Sequence, residues 1–374
     1  MIAISSAFDG GNIDILGIDG LTASLRIRKD NAADFLQWFY FRVSGCKGRA
    51  LTLSVQNAGE ASYPGGFENY SAVASYDRQT WFRVPTRFDG KVMTIEHMPV
   101  VDAVYYAYFA PYSMERHADL VARALTSPLV TLDVPGQTLD GQDIDILRIG
   151  QPKEGRPALW VISRQHPGET MAEWWVEGFL DRLLDPADPV SRALLDAAVL
   201  YVVPNMNPDG SRRGNLRTNA AGANLNREWK DPSLERSPEV FHVRQRMIDS
   251  GIRLCLDVHG DEALPYNFIA AFEGVPSVTE PMLALLAEFK ERYAALNPDF
   301  QTAHGYPVAA KGQGNLTTST GYLAEFHGVI AMTLEQPFKD TADTPRPEEG
   351  WSPERARHLG ASALDVLLPM AGKL

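Results

Sequence analysis

Two textures of hydrophobic patterning divide the chain. Up to about residue 110, short alternating or aromatic-rich runs recur at Leu21–Ile27, Phe35–Val43, Ala50–Val55, Trp81–Val84, Lys91–Met98 and Val104–Phe109. Asp9-Gly10-Gly11-Asn12, Asp19-Gly20 and Asp89-Gly90 punctuate them as turns. A period of two buries one face of a strand, and short strands at this spacing predict an antiparallel β-sandwich. A helical period shows only near residues 30–37.

From about residue 113, apolar runs alternate with long amphipathic stretches. Ser113–Leu125 predicts a helix, followed by strands at Leu129–Val134 and Asp143–Ile149. Further strands are expected at Ala158–Ser163, Ala198–Val203, Ile252–Val258, Tyr266–Phe272 and Ile330–Glu335, and helices at Met171–Leu184, Pro238–Ser250, Glu280–Leu296 and Pro353–Pro369. The last helix carries a start signal: Ser352 as N-cap, Pro353 in the first helical position and Glu354 in the first turn. Apolar strands separated by helices predict an α/β unit, a mixed, mostly parallel sheet of the eight-stranded type flanked by helices. The expected division is an N-terminal β-sandwich over residues 1–112 and an α/β domain over 113–374.

Composition narrows the class. The 374 residues are 45% hydrophobic and 22% charged, enough for a large core without disulfide staples. The two cysteines, Cys46 and Cys255, make neither a disulfide framework nor a thiolate zinc site, and Cys255 lies in the apolar run Ile252–Leu256. A net charge of −12 argues against general affinity for nucleic acid or anionic membrane. The N-terminus lacks the basic and apolar regions of a signal peptide, and no stretch reaches the roughly 18 apolar residues of a membrane span. The expectation is a cytoplasmic enzyme.

Chemistry concentrates at strand ends. His166-Pro167-Gly168-Glu169 follows the strand ending at Ser163, Asp257-Val258-His259-Gly260 closes another, and Glu335 closes a third. In open α/β sheets, ligands bind outside the carboxyl ends of the strands, so all three segments face one crevice. Two imidazoles and one carboxylate, with an open fourth position, are a known catalytic zinc set. An isolated H-x-x-E would be no more than a chance pair or a helix cap; the convergence with His259 and Glu335 makes His166, Glu169 and His259 the candidate ligands of one zinc ion per chain. Between these motifs runs a long polar loop, Asn205 to Trp229, holding Arg212, Arg213, Arg217 and Arg227. Arginine's planar fork suits a carboxylate, although Arg212 and Arg213 also read as ordinary surface residues.

The segments His166-Pro167-Gly168-Glu169, Asn205-Met206-Asn207-Pro208-Asp209-Gly210, Asn224-Leu225-Asn226-Arg227 and Thr333-Leu334-Glu335 resemble the zinc carboxypeptidases of the carboxypeptidase A type, above all the cytosolic carboxypeptidase subfamily. A β-sandwich ahead of the catalytic domain is typical of that subfamily. The resemblance implies an exopeptidase acting on the C-terminus of a peptide or protein, with Glu335 as general base and acid, Arg217 polarising the scissile carbonyl, and Asn226 and Arg227 holding the terminal carboxylate. It implies a preference for acidic C-terminal residues, often glutamate, for which Lys311 is the candidate basic group. It also implies a mobile tyrosine ahead of the catalytic glutamate, for which Tyr322 is the candidate. Asn224 stands where the family often has aspartate, a position expected to accept a hydrogen bond from a zinc-bound histidine. The alternative is a zinc amidohydrolase of the aspartoacylase or succinylglutamate desuccinylase type, which shares the H-x-x-E ligands and the Asn-Arg clamp but acts on small N-acyl amino acids. The long N-terminal half and the placement of Arg217 favour the peptidase.

Overall fold

The computed structural model describes residues 2–374. Ten short strands build the N-terminal part: β1 (Ala3–Ser5), β2 (Asp14–Asp19), β3 (Thr22–Arg26), β4 (Tyr40–Ser44), β5 (Leu51–Val55), β6 (Val73–Ser75), β7 (Phe82–Arg83), β8 (Thr86–Phe88), β9 (Met93–His97) and β10 (Ala103–Ala107). They form two five-stranded sheets, β1-β4-β10-β6-β7 and β2-β3-β5-β9-β8. Alternate positions of both, Phe41, Val43, Val104 and Tyr106 on one and Leu25, Leu53, Val55 and Ile95 on the other, belong to a single hydrophobic cluster. One pairing departs from the antiparallel expectation. β3 and β5 run parallel, because β4 between them in sequence joins the opposite sheet. Residues 30–37 form no helix. The side chains of Asp30 and Asn31 are engaged with a distant loop instead.

The rest of the chain follows as α1 (Met114–Leu125), β11 (Val130–Asp133), β12 (Ile146–Ile149), β13 (Ala158–Ser163), α2 (Met171–Leu183), α3 (Pro189–Ala197), β14 (Val199–Val203) and α4 (Pro208–Arg213). Then come α5 (Pro238–Asp249), β15 (Ile252–Val258), β16 (Phe268–Ala271), α6 (Glu280–Leu296), α7 (Ser319–His327), β17 (Ile330–Glu335) and α8 (Pro353–Ala371). The sheet has seven strands, ordered β11-β12-β14-β13-β15-β17-β16, where eight were expected. Its four central strands, β14, β13, β15 and β17, are parallel, and the outer pairings are antiparallel.

Both faces of this sheet are covered. Leu159, Val161, Leu254 and Leu256 pack with residues of α2, α3, α6 and α8, while Trp160, Ile162, Cys255 and Ala331 pack with α5 and α7. Successive strand residues thus enter different cores, which is why these strands read as unbroken apolar runs. α2 is buried along most of its length and lies against α8 at a distance only glycine allows. A Cβ on Gly178 would stand 2.1 Å from the Arg357 carbonyl oxygen, and one on Gly360 2.0 Å from that of Trp175. Ser352 caps α8 as its sequence predicts, its side chain accepting from the Arg355 amide.

The sandwich and the α/β unit share one core. The rings of Tyr108 and Phe338 stack at 4.4 Å, and Arg83 donates to the carbonyls of Phe338 and Trp351. Among the described residues no helix is long and apolar enough to cross a membrane.

Candidate metal centre

The parallel strands deliver their ends to one edge. His166 and Glu169 sit on the turn leaving β13, His259 follows β15, and Glu335 ends β17. Arg164, at the start of the first turn, adopts a left-handed φ of +57°. Its guanidinium fixes that turn by donating to the Pro167 and Tyr112 carbonyls and to Glu173 Oε2, at 3.0, 2.8 and 2.7 Å.

The three candidate ligands are buried and converge. His166 Nδ1 lies 2.6 Å from Glu169 Oε1, His259 Nδ1 lies 2.8 Å from Glu169 Oε2, and the two Nδ1 atoms are 3.2 Å apart. The opposite edge of each ring is occupied. His166 Nε2 faces Asn224 Oδ1 at 3.0 Å, and His259 Nε2 lies 2.9 Å from Asp257 Oδ1. Asn224 Oδ1 offers an acceptor to His166 Nε2 and the Asp257 carboxylate faces His259 Nε2, an arrangement that directs both Nδ1 atoms, once deprotonated, toward the same point. Two lone pairs and a carboxylate aimed at one point call for a cation. The 3.2 Å separation matches the about 3.3 Å between nitrogens of a tetrahedral ion with zinc–nitrogen bonds near 2.0–2.1 Å. The donor set therefore fits zinc.

Electrostatics follow burial. Burial, with Arg217 adding to it, lowers His166 to about 4. In His259 burial acts the same way but is outweighed by Asp257 and Glu169, which hold it well above the usual histidine range. Burial alone would raise Glu169; His166 and His259 instead hold it well below the carboxylate range. Glu335 is 7% exposed, and its Oε2 has no hydrogen-bond partner. Burial, reinforced by Glu169, Asp261 and Asp257 against the opposing His259, pushes it up to about 8.

A cavity of about 420 Å³ opens beside this cluster and is lined by His166, Glu169, His259, Glu335, Arg217, Asn226 and Arg227. Asn226 Oδ1 accepts from the Ser319 amide. The Arg227 guanidinium donates to the Asn226 carbonyl. Arg217 makes no side-chain ion pair among the described residues, and its guanidinium rests near the rings of Phe35 and Tyr63. Arg213 is turned away into a pair with Asp140, and Arg212 lines a separate groove.

Two sequence candidates do not reach the cavity. Lys311 sits on an exposed turn and donates to the Val278 carbonyl. The lysine that lines the cavity is Lys290 of α6, paired with Glu273 at 2.8 Å. Tyr322 faces the α5–α7 core, against Phe326 and His327 and beneath Arg244. The tyrosines at the cavity are Tyr63, from the N-terminal part, and Tyr306, whose hydroxyl donates to Asp261 Oδ2 at 2.5 Å. Glu262 was also missed. It lines the cavity at 6% exposure, and burial followed by the Glu169 carboxylate raises it well above its usual range. A lysine on a charged helix and a tyrosine in a polar loop carry no sequence signal of a site.

Residues 4–109 match the cytosolic carboxypeptidase N-terminal domain, and residues 117–264 match the zinc carboxypeptidase family. The crystal structure of a metallo-carboxypeptidase from Burkholderia cenocepacia is similar with a TM-score of 0.98 and 46% identity over 100% of both chains. A Pseudomonas aeruginosa metallo-carboxypeptidase, solved in complex with (2-guanidinoethylmercapto)succinic acid, gives 0.96 and 44% over 98% of each. Human cytosolic carboxypeptidase 1 is 26% identical over 290 residues, 65% of this chain but 24% of that protein, so the match takes in about a quarter of the human relative's length.

Proposed function

This chain belongs to the zinc carboxypeptidase family and carries the N-terminal domain of the cytosolic carboxypeptidases, and on that premise we propose that His166, Glu169 and His259 hold one zinc ion beside which Glu335, Arg217, Asn226 and Arg227 act on a peptide C-terminus. The observation that carries this reading is the meeting, in one cavity, of three converging ligand atoms, an unpartnered buried carboxyl and two arginines. Zinc bound there supplies Lewis acidity, polarising a carbonyl and acidifying a water.

The chain's own residues do the rest. Glu335, buried beside the ligand cluster with one oxygen unpartnered, takes the proton of the attacking water and returns it to the leaving amine. Arg227 and Asn226 grip the free terminal carboxylate, which restricts cleavage to the last peptide bond. Arg217 places positive charge where the oxyanion forms. Asn224 and Asp257 hold the imidazoles in their ligating orientation.

Acidic C-terminal side chains are the preferred substrates, and Lys290 is the group that receives them. The Lys290–Glu273 pair lines the same cavity as Arg227. Two buried, unpaired cysteines suit the cytoplasm.

The deciding experiment compares hydrolysis of a glutamate-ended peptide, an alanine-ended peptide and N-acetylaspartate. The glutamate-ended peptide is the expected substrate. Lys290→Ala lowers its kcat/KM about 10–100-fold, as loss of a charged hydrogen bond does, and leaves the alanine-ended peptide within about threefold. Turnover of N-acetylaspartate alone would overturn the peptidase assignment in favour of the amidohydrolase.

A further inference from the structure

The irregular loop that follows α4 carries Arg217, and it belongs to no helix or strand between Gly214 and Asn224. Its backbone amides need partners from elsewhere. One side chain of the N-terminal part supplies three of them. Asp30 Oδ1 accepts from the Leu216 amide at 2.6 Å, and Oδ2 accepts from the amides of Arg217 and Thr218 at 2.8 and 2.9 Å and from the Thr218 hydroxyl at 3.0 Å. Asp30 is 4% exposed. Both its oxygens are taken up by the loop, so none is spent on the Arg217 guanidinium.

The neighbouring residue extends the grip. Asn31 accepts from Asn215 Nδ2 and donates to the Ala220 carbonyl, both at 2.7 Å. The loop passes so close that a Cβ on Gly222 would stand 2.4 Å from the Ala32 carbonyl oxygen. The same domain also reaches the business end of Arg217. Its guanidinium carbon lies 5.6 Å from the Phe35 ring centre and 5.7 Å from that of Tyr63. Planar guanidinium groups are held by aromatic faces without being neutralised, which leaves the charge free to act.

We propose that the N-terminal domain is a working part of the site: Asp30 is a positioning residue that fixes the backbone of Arg217, and Phe35 and Tyr63 orient its guanidinium toward the scissile carbonyl. This rests on the assignment of Arg217 to the oxyanion. A charge aimed at a developing oxyanion acts only if it is held in place beforehand, and a misplacement of about 1 Å costs on the order of 100-fold. The separation of 187 positions between Asp30 and Arg217 is the reason for a fused sandwich: it supplies an anchor the loop cannot make for itself.

The test is a double-mutant cycle in the full-length, zinc-loaded enzyme. Asp30→Ala is expected to lower kcat about 30–100-fold with KM within about threefold and zinc stoichiometry unchanged. In an Arg217→Ala background, the same change is expected to cost less than about threefold, because nothing remains to position. Asp30→Asn, which keeps the shape and turns an amide against backbone donors, gives an intermediate loss and serves if Asp30→Ala does not fold. Phe35→Leu, which keeps bulk and removes the ring, lowers kcat and not KM. Equal losses with and without Arg217 would show a general structural role and overturn the proposal, as would an unchanged kcat in Asp30→Asn. If Arg217→Ala itself turns over at the wild-type rate, the oxyanion assignment falls and takes this inference with it.

Discussion

His117 offers a pH-dependent stability that can be worked from the structure. It is buried on α1, with Nδ1 2.6 Å from Glu173 Oε1 and Nε2 3.3 Å from Asp145 Oδ2. Burial pulls its pKa down, but the carboxylates of Glu173 and Asp145 outweigh it and raise the group to about 9. A histidine whose folded pKa exceeds its unfolded value stabilises the fold fully below the unfolded value. That contribution is lost as pH rises through the folded value. The rise from 6.5 to about 9 corresponds to roughly 3 kcal/mol, present at pH 6 and gone by pH 10. The perturbation is His117→Gln, which removes the titrating group. The assay is urea unfolding of both proteins at pH 6, 7.5, 9 and 10, with zinc held in excess. The wild type is expected to be the more stable at pH 6, and its advantage to shrink by about 3 kcal/mol by pH 10, most of it above pH 7. A difference constant to within about 0.5 kcal/mol across that range would refute the reasoning, because it would mean that His117 binds no extra proton in the fold. Glu173 ties the same network to Arg164, whose strained backbone starts the turn that carries His166 and Glu169.

Two further outcomes concern the site directly. Glu335→Gln is expected to reduce kcat by at least about 10³-fold while zinc content, measured by atomic absorption, stays at the wild-type level. Activity near wild type would remove Glu335 from its role. Asn224→Ala takes the acceptor from His166 Nε2 and is expected to weaken zinc binding about 10–100-fold in chelator competition, with Asn224→Asp binding at least as tightly as wild type. Equal affinities in all three would show that the second nitrogen of His166 needs no partner.

How much was legible in the chain varies with range. The strands β13, β14, β15 and β17 are readable because burial on both faces makes each an unbroken apolar run. The ligand motifs stand at their ends, and parallel strands put those ends on one edge whatever the sheet order. Short elements were not readable. β2 is exposed along its whole length, and α7 has a weakly amphipathic pattern in which Gly321 and Tyr322 give no clear face. Lys311 and Tyr322 lie away from the cavity for one reason: distance along the chain from Glu335 does not fix which way a loop or helix turns its side chains.

The sequence by itself determined the class of fold and the placing of His166, Glu169 and His259 at strand ends, since these depend on local pattern and on a rule about strand ends, while the resemblance to a known family pointed to Asn224. Only the tertiary structure decided what surrounds them. Lys290 lies on α6, Tyr306 and Glu262 on loops, and Asp30 in another domain, 188 positions from the threonine it binds. The first three reach the cavity, and Asp30 the loop that carries Arg217, by the packing of whole elements, and a side chain's energy of interaction depends on its distance in space, about which its place in the chain says nothing.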